Sequence, residues 1–529
     1  MPKCFQMYRL LFVFLIVLVS LGSKSQNLSV GISSLEDYYR RNQLLGLIDS
    51  TVSFTIRPLS LNNLLLNEYN RTGDNNYLVR KVDSSKIIFS VLPLEWKQRY
   101  NSHHPYGRND GIMIPSKGYQ TIISGGIYFK AGIFNIQLRP EYLFAENNDF
   151  IEYPANYNGN DVPQRFGDKA FQDFSWGQSR IGLNFGPISL ALSNENLWWG
   201  PGLKNSILMS NTATGFKHIT LNTTKPIKSY IGSFETQIVV ANLESSGFLY
   251  TDLNDKRYFT ALTFNYQPKL FPGIFFGITR SFQTYSKNLK TFSDYIPLFR
   301  PYQKIKDKNQ DNSGSDNNDQ LTSVYIRWLL KKAHAEIYYE YGKNDNSFNL
   351  RDFFLSPQHS RAYLFGVRKL VFLNKSDKEY LEIGVEVTQL SQSIDRVLRG
   401  AGSWYIHSQI FQGHTNRGEV LGAGIGPGGN LQTLNINWNK GFKSLGLQFE
   451  RYEHQADFYD ANFSSPINNG QWIDLGLAAI SNWDYKRFLL NSKLEIIRSA
   501  NYQWMSGFNN LPKKNVTNLN MEVGITYLF

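Results

Sequence analysis

The sequence is poor in cysteine and in long apolar runs. Cys4 is the single cysteine among 529 residues, so no framework of disulfides holds the chain. After residue 25, no stretch approaches the roughly 20 consecutive apolar residues of a membrane-spanning helix. HExxH and GxSxG motifs are also missing. These absences exclude a disulfide scaffold, a membrane protein built of helices, and two common signatures of hydrolases.

The N-terminus has the order of a secretory signal. Basic residues precede the apolar run 10–19 and serines follow it: Lys3, Arg9, Ser23 and Ser25. The run is too short to be retained as a membrane anchor. We predict a signal peptide over residues 1–25, whose removal lowers the formal net charge from +12 to +9. The exported chain is then either soluble or a transmembrane β-barrel.

One helical signature follows the signal. Ser33-Ser34-Leu35-Glu36 is typical of a capping box, and apolar residues recur at helical spacing until Gly46. Leucine-rich segments complete this part of the chain. The prediction for residues 26–85 is therefore a periplasmic helical plug.

From residue 86 onward the apolar period changes to two. At the C-terminus Leu519, Met521 and Val523 alternate with Asn518 and Asn520. Strands of about ten residues with one apolar and one polar face are typical of an outer-membrane barrel with a wet lumen. A soluble β-sandwich alternates in the same way, so alternation alone does not decide between the two.

Connection lengths favour the barrel. Eighteen predicted strands are joined by short connections, such as 439–443, that alternate with long ones, such as 196–215, 284–320 and 392–429. Short periplasmic turns and long external loops are the asymmetry of outer-membrane barrels. We predict an all-β fold: a transmembrane antiparallel β-barrel of about 18 strands over 86–529, with a small N-terminal helical plug.

Two assignments rest partly on that alternation: 216–224 as a strand and 418–426 as a loop. The stretch 304–320 lacks apolar residues and is predicted to be a mobile external loop. The chain ends at Phe529 after alternating apolar positions, which suits a last strand recognised by the barrel-insertion machinery.

The sequence carries no clear catalytic motif. Four carboxylates could in principle serve glycoside hydrolysis, but sequence spacing does not give their separation across a barrel: Asp395, Glu419, Glu450 and Asp474. The GxGxxG match at 424–429 precedes a strand rather than a helix, so it predicts a tight loop and not a phosphate cradle. His407 and His414 are more typical of hydrogen-bonding loop residues than of metal ligands. We therefore expect no enzyme, no cofactor, no metal and no nucleic-acid partner.

Aromatic residues in the long loops are the better indication of binding. The aromatic residues predicted to lie at external strand ends or in external loops include Trp198, Trp199, Trp404, Tyr405 and Trp472. Interfacial girdles account for many aromatic residues in such barrels. However, the turn Gly200-Pro201-Gly202 directs the chain away at once, so one tryptophan can face lipid and the other the outer mouth. Ring faces beside basic residues suit a sugar that carries acidic groups.

Two stretches resemble the capsule-assembly Wzi family of bacterial outer-membrane proteins. ENLWWGPGLKNSILMSNTATGF, residues 195–216, is similar to the family's signature. Residues 405–430 resemble its second motif, with matches at Tyr405, His407, Gly413, Arg417, Gly418 and Gly422. LEDYYRRNQLLG, YEHQADF and QWIDLGL are also similar to the family, so the resemblance covers nearly the whole mature chain.

The resemblance implies a non-enzymatic, lectin-like protein of the bacterial outer membrane that attaches or organises capsular polysaccharide. It implies an 18-stranded barrel that a helical portion closes at the periplasmic end and external loops narrow at the other. The candidate contacts with polysaccharide are Trp198, Trp199, Trp404, Tyr405 and Arg417. The residues expected to shape the motifs are Gly200, Pro201, Gly202, His407, Gly413, Gly418 and Gly422. Expected partners are capsular or other surface polysaccharide, outer-membrane lipid and the insertion machinery.

Two other functions stay open on the sequence. A polar lumen would also suit a diffusion or uptake porin, which ion conductance would reveal. An outer-membrane hydrolase would turn over glycan or lipid and would lose that activity when one carboxylate or serine is changed.

Overall fold

The computed structural model of the protein describes residues 27–31, 33–64, 87–151, 161–248, 256–299, 318–344, 355, 358–373, 379–392, 402–463, 470–507 and 514–529. The predicted signal peptide lies outside these residues. So does most of the predicted mobile loop 304–320, whose last three residues belong to a strand.

The N-terminal part consists of a short helix flanked by two-residue β-strands. Its elements are β1 (Asn27–Leu28), α1 (Ser33–Leu44), β2 (Ile56–Arg57), β3 (Leu59–Ser60) and a 3-10 turn (Leu61–Leu64). Glu36 in the first turn of α1 and Arg41 in its last turn both complement the helix dipole. β1 pairs with β3 in an antiparallel fashion.

The remaining elements are mostly strands. The first are β4 (Ile87–Tyr106), β5 (Ser116–Ala131), β6 (Phe134–Leu138), β7 (Glu141–Ala145), β8 (Phe171–Ser175), β9 (Arg180–Phe185), β10 (Ile188–Ser193), β11 (Trp198–Trp199), β12 (His218–Thr223), β13 (Ile227–Lys228) and β14 (Gly232–Leu243). They continue with β15 (Arg257–Pro268), β16 (Ile274–Tyr285), β17 (Asn318–Leu330), β18 (Ala335–Asn344), β19 (Arg361–Phe372), β20 (Glu379–Gln389), β21 (Thr415–Asn416), β22 (Glu419–Val420), β23 (Asn430–Lys440), β24 (Lys443–Glu453), β25 (Ile473–Tyr485), β26 (Phe488–Ala500) and β27 (Val516–Tyr527). Two further helices are α2 (Phe292–Tyr295) and α3 (Ala456–Asn462), and 3-10 turns lie at Pro163–Phe166, Ser286–Asn288, Pro297–Phe299, Lys331–Ala333 and Tyr502–Gly507.

Within the described residues the strands close into one antiparallel barrel, in which β27 pairs with β4. The wall has eighteen spans, since β6 with β7, β8 with β9, and β12 with β13 each form one interrupted span. Pro140, which has no N–H to donate, separates β6 from β7. The predicted strand count is confirmed. The predicted strand 216–224 corresponds to β12, and 418–426 is a loop that contains β22.

The two faces of the wall differ as the alternation predicts. On β27, Met521 and Val523 are 41% and 45% exposed on the outside, whereas Asn518 and Asn520 are fully buried inside. Exposed apolar side chains recur around the outside: Leu190, Leu221, Phe264, Phe276, Ile278, Val324, Phe365, Val385, Leu447, Leu477 and Leu494. Such a belt is stable against lipid and unfavourable against water. Among the described helices, none is long and apolar enough to cross a membrane.

Residues 27–64 pack within the barrel at the end that carries the short turns. Leu35, Tyr38 and Tyr39 share one apolar cluster with Phe442 and Leu489, which lie beside two of those turns. A second cluster joins Leu44 to the ends of neighbouring strands through Phe275, Leu329, Leu370 and Tyr380. The helix therefore covers the short-turn end of the lumen.

A buried network of charges ties α1 to the wall. Arg40 Nε donates to Glu336 Oε1 at 2.9 Å. Arg327 meets the same carboxylate at 2.7 Å, and Arg368 Nη1 lies 3.8 Å from it. Arg368 also bonds Asp37 of the helix. One glutamate thus compensates several guanidinium groups, so its removal would leave buried positive charge uncompensated.

Candidate functional site

The loop that follows β10 enters the lumen instead of lining the outer mouth. β11, the tryptophan pair, forms an antiparallel pair with β2 of the N-terminal part. Trp199 is fully buried and its Nε1 donates to Gln237 Oε1 at 2.8 Å. Trp198 is 4% exposed, beneath the guanidinium of Arg57 at 4.9 Å. The predicted location of these tryptophans at the outer mouth is wrong, because pairing with β2 draws both rings into the interior.

The second aromatic pair is also buried. Trp404 is 0% exposed and Tyr405 is 1% exposed. The Tyr405 hydroxyl donates to Ile207 O at 2.6 Å and accepts from the Ala423 N–H at 2.8 Å. A methyl group at Gly422 would lie only 2.3 Å from the Ile207 carbonyl oxygen, so glycine is required for this contact. Trp404 and Tyr405 therefore join two long loops inside the barrel, and their predicted external location is wrong as well.

Two histidines of the second motif also make contacts within the loops. His414 is stacked on Tyr405 with ring centroids 5.8 Å apart, and its Nε2 lies 2.8 Å from Leu208 O. His407 Nδ1 accepts from the N–H groups of Gln409 and Ile410. Among the described residues, no three His, Cys, Asp or Glu side chains come together as a metal site.

Arg417 is the exposed member of the predicted contacts. Its side chain is 47% exposed and pairs with Glu244 at 2.7 Å and Asp173 at 3.1 Å. It belongs to the hairpin of β21 and β22. In the same hairpin Glu419 pairs with Arg165 at 2.9 Å, and burial raises the pKa of that carboxyl to about 7. The Gly418 carbonyl accepts from the Asp161 N–H at 3.0 Å, so the hairpin is joined to the loop that precedes β8.

A pocket with aromatic walls opens at the long-loop end of the barrel. It has a volume of about 130 Å³ and lies where several loops meet the ends of β4, β24 and β25. The residues that line it include His104, Tyr106, Arg108, Asp161, Gly424, Gly426, Tyr452, His454, Gln455, Trp472, Asp474, Tyr502, Gln503 and Trp504. We call these residues the aromatic pocket.

Trp472 lies at the centre of the wall of the aromatic pocket. The His454 ring stacks on this indole at 3.6 Å with an interplanar angle of 8°. Tyr502 and Trp504 meet it edge-on at 5.1 and 5.2 Å. The Asp474 carboxylate accepts from Trp472 Nε1 at 2.9 Å and from His454 Nε2 at 2.8 Å. Burial lowers the pKa of the His454 imidazole, which favours the neutral form of the ring.

Arg108 forms the floor of the aromatic pocket. It pairs with Glu450, its Nη2 donates to the Tyr106 hydroxyl at 3.0 Å, and its guanidinium lies 5.1 Å from the Tyr452 ring. The same residue borders a larger cavity of about 390 Å³ inside the barrel. Arg108 thus separates the aromatic pocket from the interior.

Several buried polar atoms of the aromatic pocket lack a partner among the described residues. They are His104 Nε2, Arg108 Nη1 and Gln503 Oε1. Arg108 Nη1 can only donate and Gln503 Oε1 can only accept, whereas the imidazole nitrogen can do either. An unsatisfied buried polar group costs about 1–3 kcal/mol, so these atoms favour a polar ligand.

The backbone around the aromatic pocket is strained. Asp161, Gln455, Gln503 and Trp504 have φ values of 68°, 38°, 53° and 52°. This left-handed conformation costs a non-glycine residue roughly 1–3 kcal/mol, and such residues cluster where ligands are held.

Of the four carboxylates considered for hydrolysis, the structure describes three. Glu419, Glu450 and Asp474 are each bound to a cation or to ring N–H donors, as described above. Asp395 lies outside the described residues.

Comparison with known protein families decides the affiliation. The model of the family described as capsule assembly protein Wzi matches residues 115–487. The chain belongs to this family. The matched segment of the Wzi family member includes both aromatic loops, the hairpin with Arg417, and Trp472. No curated protein matches the chain.

A solved barrel structure shows the same fold. The chain is similar to Wzi of Escherichia coli, an outer-membrane protein involved in group 1 capsule assembly and a carbohydrate-binding β-barrel, at 13% identity and a TM-score of 0.61. That match covers 96% of this chain and 100% of the other. OccAB2 of Acinetobacter baumannii and OccK2 of Pseudomonas aeruginosa align at 10% and 8% identity, with TM-scores of 0.40 and 0.38; each match covers 83% of this chain and 98% of the other. A closed barrel with an outer apolar belt, in a member of the Wzi family, is an outer-membrane protein.

Sequence reasoning placed Trp472 at an external strand end without selecting it as a polysaccharide contact, considered Asp474 only for hydrolysis, and missed most of the other residues of the aromatic pocket. HHPYGR, residues 103–108, and NYQW, residues 501–504, each place aromatic and polar residues at a strand end. Those clusters were a usable signal. The sequence does not show that the two clusters meet, because they lie about 400 residues apart and come together only when β27 closes on β4.

Proposed function

We propose that this Wzi family member binds capsular or other surface polysaccharide at the aromatic pocket and so attaches capsule to the cell surface. The observation that carries the proposal is the combination of Trp472 with buried polar atoms that lack partners. The pocket lies at the end of the barrel opposite the N-terminal helix, where an external polymer could enter.

The chemistry of the aromatic pocket matches that of a sugar. The C–H groups on one face of a pyranose pack against an aromatic ring, while each hydroxyl both donates and accepts hydrogen bonds. Arg108 Nη1 and Gln503 Oε1 supply one donor and one acceptor, and His104 Nε2 supplies a further group. Such contacts stabilise a bound sugar hydroxyl through hydrogen bonds and involve no covalent step.

The aromatic residues first predicted as contacts have a different part in this proposal. Trp198, Trp199, Trp404 and Tyr405 hold the internal loops in place, and so support the floor beneath the pocket. Arg417 stays a candidate contact at the rim, because it is exposed and its hairpin adjoins Asp161 of the pocket. Its charge is already compensated by Glu244 and Asp173, so it offers hydrogen bonds more than net attraction.

We infer a binding protein and not a hydrolase. Cleavage of a glycosidic bond needs a pair of available carboxyl groups on either side of the bond. At the pocket, Glu450 is paired with Arg108 and Asp474 is held by Trp472 and His454. Outer-membrane lipid around the belt and the barrel-insertion machinery acting on the last strand remain proposed partners.

A binding measurement tests the proposal directly. Purified protein should bind the surface polysaccharide of its source cells and leave the polymer at its original length. Failure to bind, or release of short oligosaccharides, would contradict the assignment. Because residues 27–64 and the internal loops occupy the lumen, we also expect only a small ion conductance in planar bilayers; a large steady conductance would favour the porin.

A further inference from the structure

The outer face of β16 changes character along its length. Phe276 and Ile278 point outward and are exposed in the apolar belt, whereas Phe282 and Thr284, on the same face nearer the long-loop end, are 7% and 5% exposed. The segment 286–299 follows the strand and contacts this face, since Asn288 Nδ2 donates to Thr284 Oγ1 at 3.2 Å. We call this segment the outer-rim flap.

Specific contacts hold the outer-rim flap against the outside of the barrel. The Tyr258 hydroxyl donates to Tyr295 O at 2.7 Å, and the two rings meet edge-on at 5.5 Å. Arg280 Nη1 donates to Leu298 O at 3.1 Å. Leu298, a residue of the flap itself, is buried. The flap therefore lies on the lipid side of the wall and does not extend over the mouth.

The opposite side of the flap is apolar and uncovered among the described residues. Phe292 is 81% exposed, and Tyr295 and Ile296 are also exposed. The local fold is defined, since the Asp294 carboxylate accepts from the N–H groups of Lys290 and Thr291 at 3.0 and 2.7 Å. Transfer of an aromatic side chain of this size from water to an apolar medium is favourable. The surface is continuous with the lipid-facing belt directly below it.

Basic side chains accompany this apolar surface. Lys287 and Lys290 are exposed on the flap, and Lys256 is exposed beside it, where its carbonyl accepts from the Ser286 N–H at 2.8 Å. Asp294 is the flap's acidic residue and is engaged with backbone N–H groups. Apolar side chains beside lysines are the pattern of a segment that lies in a membrane interface and meets anionic headgroups.

We propose that the outer-rim flap is a lipid-binding element: Phe292 and Ile296 enter the acyl region of the outer leaflet, and Lys287 and Lys290 bind the anionic headgroups of its lipids. The partner is the membrane surface itself. This site is independent of the aromatic pocket, because it lies on the other side of the barrel wall.

Spin labels can test the insertion. With Cys4 replaced by serine, single cysteines at Phe292, Ile278 and Asp168 would each be labelled in protein reconstituted into vesicles of phosphatidylcholine and phosphatidylglycerol. A label in the acyl region collides with oxygen, and a label in water collides with a soluble nickel chelate. We expect the label at 292 to behave like that at 278 in the belt, and unlike that at Asp168 in an exposed loop.

Lipid charge provides the second measurement. The label at 292 should lie deeper when phosphatidylglycerol is present than in phosphatidylcholine alone, and the combined Lys287→Gln and Lys290→Gln changes should abolish that difference. A label at 292 that is accessible to the nickel chelate, or shielded from both reagents as by a second protein copy, would overturn the proposal. A depth independent of lipid charge would overturn the binding of Lys287 and Lys290 to anionic headgroups. Heat-modifiable electrophoretic mobility confirms that each variant is a folded barrel.

Discussion

Replacing Trp472 with alanine is the sharpest test of the aromatic pocket. The change removes the ring on which His454 stacks and the N–H that Asp474 accepts. Truncation of a tryptophan at the centre of a binding site costs about 2 kcal/mol or more, which is roughly a 30-fold loss of affinity. We expect that loss in calorimetric titration of the purified barrel with surface polysaccharide, together with release of capsule from cells.

Matched variants separate binding from folding. Trp176→Ala removes a tryptophan that is 59% exposed on the outer wall, and should leave affinity unchanged. Trp472→Phe keeps an aromatic face but loses the hydrogen bond to Asp474. The binding free energy should weaken by only about 1 kcal/mol, which is roughly a fivefold loss of affinity. If Trp472→Ala binds polysaccharide as tightly as the parent while Trp404→Ala remains folded and does not, the pocket assignment is refuted and the internal loops form the site.

Three further outcomes follow from the buried charges and the topology. Glu336→Ala leaves the guanidinium groups around Arg40 uncompensated, so it should lower the free energy of unfolding by about 3–5 kcal/mol and raise ion conductance. As a control, Glu379→Ala removes an exposed ion pair and should change stability by under about 1 kcal/mol. Burial raises the pKa of Glu419 from 4.5 to about 7, so the stabilisation that this carboxyl gives the hairpin is complete below pH 4.5 and is lost as the pH rises through 7. Hydrogen exchange of the hairpin, corrected for intrinsic rates, should therefore be faster at pH 8 than at pH 5. Glu419→Gln should remove that difference. A tag inserted near Gly314 should be accessible to protease on intact cells, and accessibility only after permeabilisation would reverse the predicted orientation.

The barrel was predictable from the sequence because its signal is local. Each strand carries a two-residue period, as Met521 and Val523 show against Asn518 and Asn520, and a wall between lipid and a polar lumen makes that period obligatory. The helix α1 was equally evident from its N-terminal residues and its 3.6-residue period. Loop lengths then gave the number of strands, since each short turn pairs neighbouring strands directly.

The direction of the long loops was not predictable in the same way. A tryptophan in a long loop can lie at the lipid interface, at the mouth or in the lumen, and its immediate neighbours are compatible with all three. Pairing of β11 with β2 decided the matter for Trp198 and Trp199, and the contact of Tyr405 with Ile207 decided it for the second loop. Both are contacts between segments more than 100 residues apart.

The sequence by itself determined the membrane barrel, the N-terminal helix and the family motifs, because alternation, helical period and motif spacing are properties of neighbouring residues. Tertiary structure alone decided which aromatic residues reach solvent and which polar atoms are left without partners. The aromatic pocket brings His104 and Arg108 near the start of the barrel to Trp472 and Gln503 near its end. That meeting depends on closure of β27 against β4, and a contact made by closing a ring leaves no local periodicity in the chain.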